Sequence, residues 1–84
     1  MNRGEILVEV QRRMAEMFEL EPTEIREDCL LREDLDLDSL DAIDLAIRIQ
    51  ELTGDRVEES VLRKVRTVGD VVDLIAQMLS THAG

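Results

Sequence analysis

One serine lies among four aspartates in residues 34–41, whose sequence is D-L-D-L-D-S-L-D. A serine hydroxyl acts as a catalytic nucleophile when a neighbouring base takes its proton and an oxyanion hole receives the developing charge. The chain has one histidine, His82, which lies close to the end of the sequence. We therefore expect that the chain is not an enzyme. Ser39 fits better as the acceptor of a group that another enzyme supplies, or as a simple helix cap.

The alternating aspartates also match the opening of a calcium-binding loop, in which Asp34, Asp36 and Asp38 would be ligands. The match ends there, because Ser39 stands where that loop needs glycine. Leu45 stands where a bidentate glutamate would close the cage. We expect no specific metal site, and a divalent-ion sensor remains the least favoured hypothesis.

The composition limits the classes of partner. The chain has 84 residues, which predicts a single domain over residues 1–84, and its formal net charge is −10. Phe18 is the only aromatic residue, so bases have no stacking platform, and the acidic charge opposes binding to phosphate backbones. We expect no nucleic-acid binding, and an acidic surface favours basic partner proteins.

Cys29 is the only cysteine, so no internal disulfide is possible. Its neighbours Asp28 and Leu30 supply no base, which predicts a small buried residue rather than a reactive thiol. The N-terminal segment has neither a signal-peptide core nor a membrane span. Together these features predict a cytoplasmic protein.

Hydrophobic periodicity predicts helices over residues 3–20, 39–53, 57–62 and 68–80. Pro22 should end the first helix, and Thr67 with Asp70 forms a predicted capping box for the last. Residues 26–38 have no clean period, and we expect their apolar side chains to be buried across the bundle. Residues 81–84 should fray, leaving His82 solvated. The predicted fold class is all-α, a small bundle of three main helices plus one short helix with a long first loop.

The second helix should begin with Asp38 or Ser39 as N-cap and end at Gly54. On a helical wheel it carries two apolar stripes on nearly opposite sides. One stripe consists of Leu40, Ile43 and Ile47, and the other of Leu45, Ile49 and Leu52. A polar strip between them holds Asp41, Asp44, Arg48 and Glu51. Either this helix is central, or one stripe faces a partner.

Residues 38–41 resemble the D-S-L-D signature of acyl carrier proteins. Leu35 matches a leucine of the family's D-L-G-x-D-S-L segment, and residues 42–45 are similar to its x-V-E-L run. Residues 64–73 resemble its K-I-x-T-V-x-D-x-V-D segment. The resemblance implies that Ser39, flanked by Asp38 and Leu40, carries covalent 4′-phosphopantetheine from coenzyme A.

The resemblance also implies the partners, which are a phosphopantetheinyl transferase and acyl-transfer, ketosynthase and reductase-type enzymes of fatty-acid or polyketide-type biosynthesis. Their basic patches would meet a partner face made of Asp36, Asp41, Asp44, Ile47 and Glu51, together with Leu40. The carrier itself is expected to be a monomer. The alternative is an acidic helical adaptor without a prosthetic group.

Three departures from the family pattern favour a specialised carrier over a housekeeping one. Leu37 is interpreted as replacing the usual glycine before the D-S motif. Arg48 places a positive charge beside the partner face. Residues 53–58 replace the usual F-G-I-x-I-P turn.

Overall fold

A computed structural model describes residues 2–82, the side chains of Glu59, Thr81 and His82 excepted. The described residues form four α-helices: α1 (Arg3–Phe18), α2 (Ser39–Thr53), α3 (Glu59–Leu62) and α4 (Val68–His82). The predicted all-α bundle of three main helices and one short helix is confirmed. The bounds of α2 are as predicted, and Gly54 ends it in the left-handed region with φ 80°.

The first helix ends at Phe18, two residues earlier than predicted. Glu19 adopts a left-handed conformation with φ 55°, and both Glu19 and Leu20 donate their backbone N–H groups to the Ala15 carbonyl. The helix therefore stops before it reaches Pro22. That proline instead begins a short 3₁₀ helix, Pro22–Glu24.

The other two helices differ from prediction at one end each. The short helix α3 begins at Glu59 rather than Val57, and the Val57 N–H donates to the Gln50 side-chain oxygen at 3.3 Å. The last helix α4 continues to His82, so fraying from residue 81 is wrong for the backbone. No glycine or proline ends the helix at residue 80. Residues 83–84, and the predicted solvation of the His82 side chain, lie outside what the structure describes.

The buried side chains form one aliphatic cluster to which every long helix contributes. Its fully buried members include Ile6 and Met14 of α1, Ile49 of α2, and Val71 and Ile75 of α4. Each such side chain contributes about 1.5–3 kcal/mol relative to exposure. This core fixes α2 against α1 and α4.

The long first loop is tied to the start of α4 by main-chain hydrogen bonds. Leu31 donates to the Arg66 carbonyl at 2.9 Å, Val68 to that of Cys29 at 3.1 Å, and Gly69 to that of Glu27 at 2.8 Å. Gly69 lies so close to the loop that a Cβ atom there would meet the Glu27 side chain at 3.0 Å. The loop is thus a fixed part of the bundle.

Most apolar side chains of this loop point inward, as expected. Cys29, Leu31 and Leu35 are buried, and Leu37 is half-buried against the core. Leu30 is the exception, because its side chain is exposed. Its backbone pairs with Thr67 in an isolated antiparallel bridge, which leaves the side chain on the outer surface.

Candidate functional site

The N-terminus of α2 is closed by two aspartates that cap each other. The Asp38 carboxylate accepts the Asp41 N–H at 2.9 Å, and the Asp41 carboxylate accepts the Asp38 N–H at 3.3 Å. This is a capping box with an aspartate in each role. Of the two residues that the sequence offered as N-cap, Asp38 is the one used.

Ser39 is therefore the first residue inside the helix, and its side chain is exposed. Within residues 2–82 its hydroxyl has no hydrogen-bond partner. The interpretation of Ser39 as a cap is wrong, because Asp38 already serves the N-terminus. The hydroxyl is free to be modified, and the positive end of the helix dipole would favour an attached anionic group.

The loop before Ser39 turns sharply through its aspartates. Leu30 donates its N–H to the Asp34 carboxylate at 2.8 Å, and Leu37 donates to the Leu31 carbonyl at 2.9 Å. Between them, exposed Asp36 has φ 57°, the left-handed conformation that glycine adopts without strain. The interpretation of Leu37 as the glycine replacement is wrong. Asp36 occupies the position that needs this freedom.

The two apolar stripes of α2 have different environments. Leu45 and Ile49 are 3% and 1% exposed and lie in the core. Leu40, Ile43 and Ile47 are 74%, 56% and 47% exposed on the opposite side. The stripe of Leu40, Ile43 and Ile47 is exposed, so an apolar surface begins directly beside Ser39, and whether a partner covers it stays a prediction.

The polar strip of α2 is acidic toward solvent. Asp44 and Glu51 are exposed, and Asp41 is half-buried through its part in the capping box. Arg48 is half-buried between Asp44 at 3.8 Å and Glu16 of α1 at 3.6 Å. Because Arg48 leans toward α1, it adds little positive charge beside Ile47.

An open groove runs along α2 from the position of Ser39. Its α2 wall includes residues at helical spacing: Ser39, Ala42, Ile43, Ala46, Ile47 and Gln50. The facing wall comes from the first loop, from α3 and from the residues on either side of α3, among them Leu30, Leu37, Val57, Leu62 and Val65. The groove can take an apolar chain attached beside its near end.

Three of the four aspartates in residues 34–41 are engaged by the backbone. Asp34, Asp38 and Asp41 each accept a main-chain N–H group. Among the residues that the structure describes, no three His, Cys, Asp or Glu side chains are grouped to hold a metal ion. No helix in the described range combines the length and apolar character needed to cross a membrane.

The structure also reveals groove residues that the sequence did not single out. Arg32, Arg56 and Arg66 line the groove together with exposed Leu30. They lie on three separate segments outside the long helices, so no periodic pattern links them. A possible signal was the concentration of arginine between residues 56 and 66 of an otherwise acidic chain.

Comparison with known proteins agrees with this arrangement. Residues 8–75 match the family described as "Phosphopantetheine attachment site". The chain is 41% identical over 80 residues to acyl carrier protein 2 of Ralstonia nicotianae, covering 95% of this chain and 99% of that protein. It is 36% identical to the acyl carrier protein of Saccharopolyspora erythraea, covering 99% and 87% of the two chains.

The fold is also similar to that of a solved acyl carrier protein. A solved structure of the acyl carrier protein from Enterococcus faecalis matches with a TM-score of 0.75 and 25% identity, covering 92% of this chain and 98% of that one. The matching family and the relatives support a carrier of acyl intermediates over the adaptor without a prosthetic group. The chain belongs to the acyl carrier protein family and carries acyl intermediates on 4′-phosphopantetheine.

Proposed function

We propose that Ser39 is the residue to which 4′-phosphopantetheine is attached, with Asp38 and Leu40 as its immediate supports. The observation that carries this is the free, exposed hydroxyl of Ser39 at a helix N-terminus already capped by Asp38. When bound, the group supplies a terminal thiol that holds acyl chains as thioesters. Asp38 fixes the first turn of α2, and this turn aims the Ser39 hydroxyl outward.

The carboxylates nearest in sequence to Ser39, those of Asp38 and Asp41, are held by each other's backbone N–H groups, so we infer that a second enzyme supplies the base for the transfer step. The Ser39 oxygen forms a bond to the phosphate that bears pantetheine, and the pyrophosphate bond of coenzyme A breaks. The nucleotide leaves as adenosine 3′,5′-bisphosphate, and a base of the transferase takes the hydroxyl proton. Magnesium in the transferase site would neutralise the phosphates.

The exposed face of α2 is the proposed docking surface for this transferase and for acyl-transfer, ketosynthase and reductase-type enzymes. Leu40 and Ile47 supply apolar contact at the centre. The acidic residues placed around them on the surface are Asp36, Asp41, Asp44 and Glu51. Basic patches on partners would be steered to this surface before the apolar contact forms.

The remaining features of the proposed carrier follow from the same arrangement. Residues 1–84 form one carrier domain, supported by the single cluster of buried side chains. The domain is non-catalytic, monomeric and cytoplasmic, and it serves a specialised rather than housekeeping pathway of fatty-acid or polyketide type. Asp36 in place of glycine and the turn at residues 53–58 support this specialisation.

The test is an intact-mass measurement. Purified protein is incubated with coenzyme A, magnesium and a broad-specificity transferase, and the gain of one phosphopantetheine is expected. Ser39→Ala should show no gain, while Ser60→Ala, which removes an exposed serine of α3, should behave as the wild type. A gain that persists in Ser39→Ala, or no gain in the wild type, would refute the assignment.

A further inference from the structure

The groove beside Ser39 has a different charge from the rest of the chain. The sequence contains 20 acidic and 10 basic residues. Among the described side chains that line the groove, basic residues outnumber acidic ones, with four arginines against the three carboxylates of Glu33, Asp38 and Glu58. The groove next to the proposed attachment point is therefore lined by cationic side chains, although the chain as a whole is acidic.

Hydrogen bonds locate these arginines along the groove. The Arg66 carbonyl accepts from Leu31, and the Leu31 carbonyl accepts from Leu37, two residues before Ser39. Arg32 and Arg66 therefore belong to the wall at the Ser39 end. Arg56 belongs to the far end, where the next residue is bonded to Gln50. Ser39 and Gln50 are separated by about 16 Å of helix.

Three of the groove arginines make no salt bridge within the described residues, although the charge of Arg66 acts on the exposed carboxylate of Asp70. Arg32, Arg56 and Arg66 are exposed and form no ion pair with any residue in the described range. Elsewhere on the chain arginines are paired, as Arg3 is with Glu27 and Asp73. The groove guanidinium groups are thus available to an anion that comes from outside the fold.

The α2 wall of the groove includes two small apolar residues. Ala42 and Ala46 follow one another on α2 at a spacing of one turn, and Leu62 is buried on the facing wall. A methylene chain lying there would remove apolar surface from water. A plain acyl chain would leave the arginines unused. A chain that ends in a carboxylate would meet a planar guanidinium group, which binds carboxylates in a bidentate manner.

We propose that this carrier prefers acyl groups whose distal end carries a carboxylate. Their methylenes would lie over Ala42 and Ala46, and their carboxylate would be bound by one arginine of the facing wall, Arg66 near Ser39 or Arg56 at the far end, according to the length of the chain. This inference rests on Ser39 as the attachment point. It goes beyond the proposed function, because the carrier would distinguish acyl groups by the charge at their distal end.

The experiment compares two cargoes of equal carbon number, octanoyl and its ω-carboxylated counterpart suberyl. Each is loaded from its coenzyme A thioester by a broad-specificity transferase, and loading is verified by intact mass. The rate of thioester cleavage by hydroxylamine is then measured at low and high salt, relative to the same thioester on free pantetheine. Sequestration of the chain in the groove slows the cleavage.

At low salt we expect suberyl to be protected about two- to fivefold more than octanoyl, the range of a partly exposed ion pair. High salt should remove this difference. Arg56→Gln or Arg66→Gln should reduce it, and the double variant should abolish it. Arg12→Gln, with the same loss of charge on α1 outside the groove, should retain it.

Equal protection of the two cargoes on a loaded protein would overturn the cargo preference and leave the attachment at Ser39 intact. Retention of the difference in the double variant would have the same consequence. Absence of any mass gain would overturn both proposals at once. The two failures are therefore distinguishable from the mass spectrum before hydroxylamine is added.

Discussion

The N-termini of α2 and α4 use the same capping box with different residues. At α4 the Thr67 hydroxyl accepts the Asp70 N–H at 3.0 Å, and the Asp70 carboxylate accepts the Thr67 N–H at 3.2 Å, which confirms the predicted box. At α2 a carboxylate takes the place of the hydroxyl as cap. The hydroxyl of Ser39, the next residue, forms no hydrogen bond within residues 2–82.

The N-termini of α2 and α4 also differ in their exposure to solvent. Val68 and Gly69 are buried under the first loop, which accepts hydrogen bonds from both of their backbone N–H groups. Ser39 and Leu40 are exposed and nothing covers them in the described part of the chain. The start of α2 is therefore accessible to another protein, whereas the start of α4 is covered by the first loop.

The largest expected effect is the contrast between removing the Ser39 hydroxyl and removing the Thr67 hydroxyl. The first change should affect modification and the second should affect stability. Ser39→Ala should abolish the mass gain and leave the free energy of unfolding within about 0.5 kcal/mol of the wild type. Thr67→Ala should keep the mass gain and lower that free energy by about 1 kcal/mol. Chemical denaturation and intact mass measure the pair. A strongly destabilised Ser39→Ala would show that the serine does support the fold.

The next effect concerns charge on equivalent turns of the two helices. Asp44 and Asp73 are both the sixth residue of their helix, and both are exposed. Asp44→Lys should slow association with a basic partner enzyme about tenfold at low salt and less at high salt, because attraction steers the encounter. Stopped-flow measurement of the association rate gives the result.

Asp73→Lys is the matched control, with the same charge change on α4, where the proposed docking surface does not extend. It should alter the association rate much less, although it also breaks an exposed ion pair with Arg3. Equal slowing by both variants, or slowing that ignores ionic strength, would contradict steering by α2.

A smaller effect is expected at the α2 cap itself. Asp38→Ala should lower the free energy of unfolding by about 1 kcal/mol, because the Asp41 N–H loses its acceptor. Asp38→Ser should restore most of this loss, since serine is an equally good N-cap. Thermal unfolding of the three proteins measures this series. If serine fails to restore stability, the carboxylate has a role beyond capping.

Local signals were sufficient for the parts of this comparison that depend on neighbouring residues. The bounds of α2 followed from its acidic first turn and Gly54, and the box at Thr67 and Asp70 followed from residue types three apart. The sequence could not decide between Asp38 and Ser39 as cap, because both residue types are good N-caps.

Features that depend on residues far apart in the sequence could not be predicted from local signals. The early end of α1 at Glu19 and the exposure of Leu30 depend on how the chain packs beyond them. The groove arginines come from segments that only the folded bundle brings together. The exposed stripe of α2 was recognised as one of two possibilities, and only the position of the core identified it.

The smallest expected effect is a pH dependence of stability at the capping box of α4. The pKa of Asp70 is lowered because its carboxylate accepts the backbone N–H groups of Arg66 and Thr67. A depressed pKa in the folded state stabilises the protein above the unfolded value of about 3.9, and this contribution disappears as pH falls toward the folded value.

Asp70→Asn should therefore lower the free energy of unfolding by less than about 1 kcal/mol at neutral pH, since the group is exposed. The difference from the wild type should shrink below about pH 4. Urea denaturation across this range provides the measurement. A difference that stays constant down to pH 2.5 (an approximate lower limit for such measurements) would exclude the ionised carboxylate as its cause.

The hydrogen bonds between the first loop and the start of α4 have a consequence for biosynthesis. They join residues 27–31 to residues 66–69, so the loop that leads into Ser39 has its partners only after the later segment has been made. Contacts between segments so far apart form late, because the intervening chain must first be ordered. On the ribosome, Ser39 is therefore synthesised well before the first loop can form its hydrogen bonds with residues 66–69.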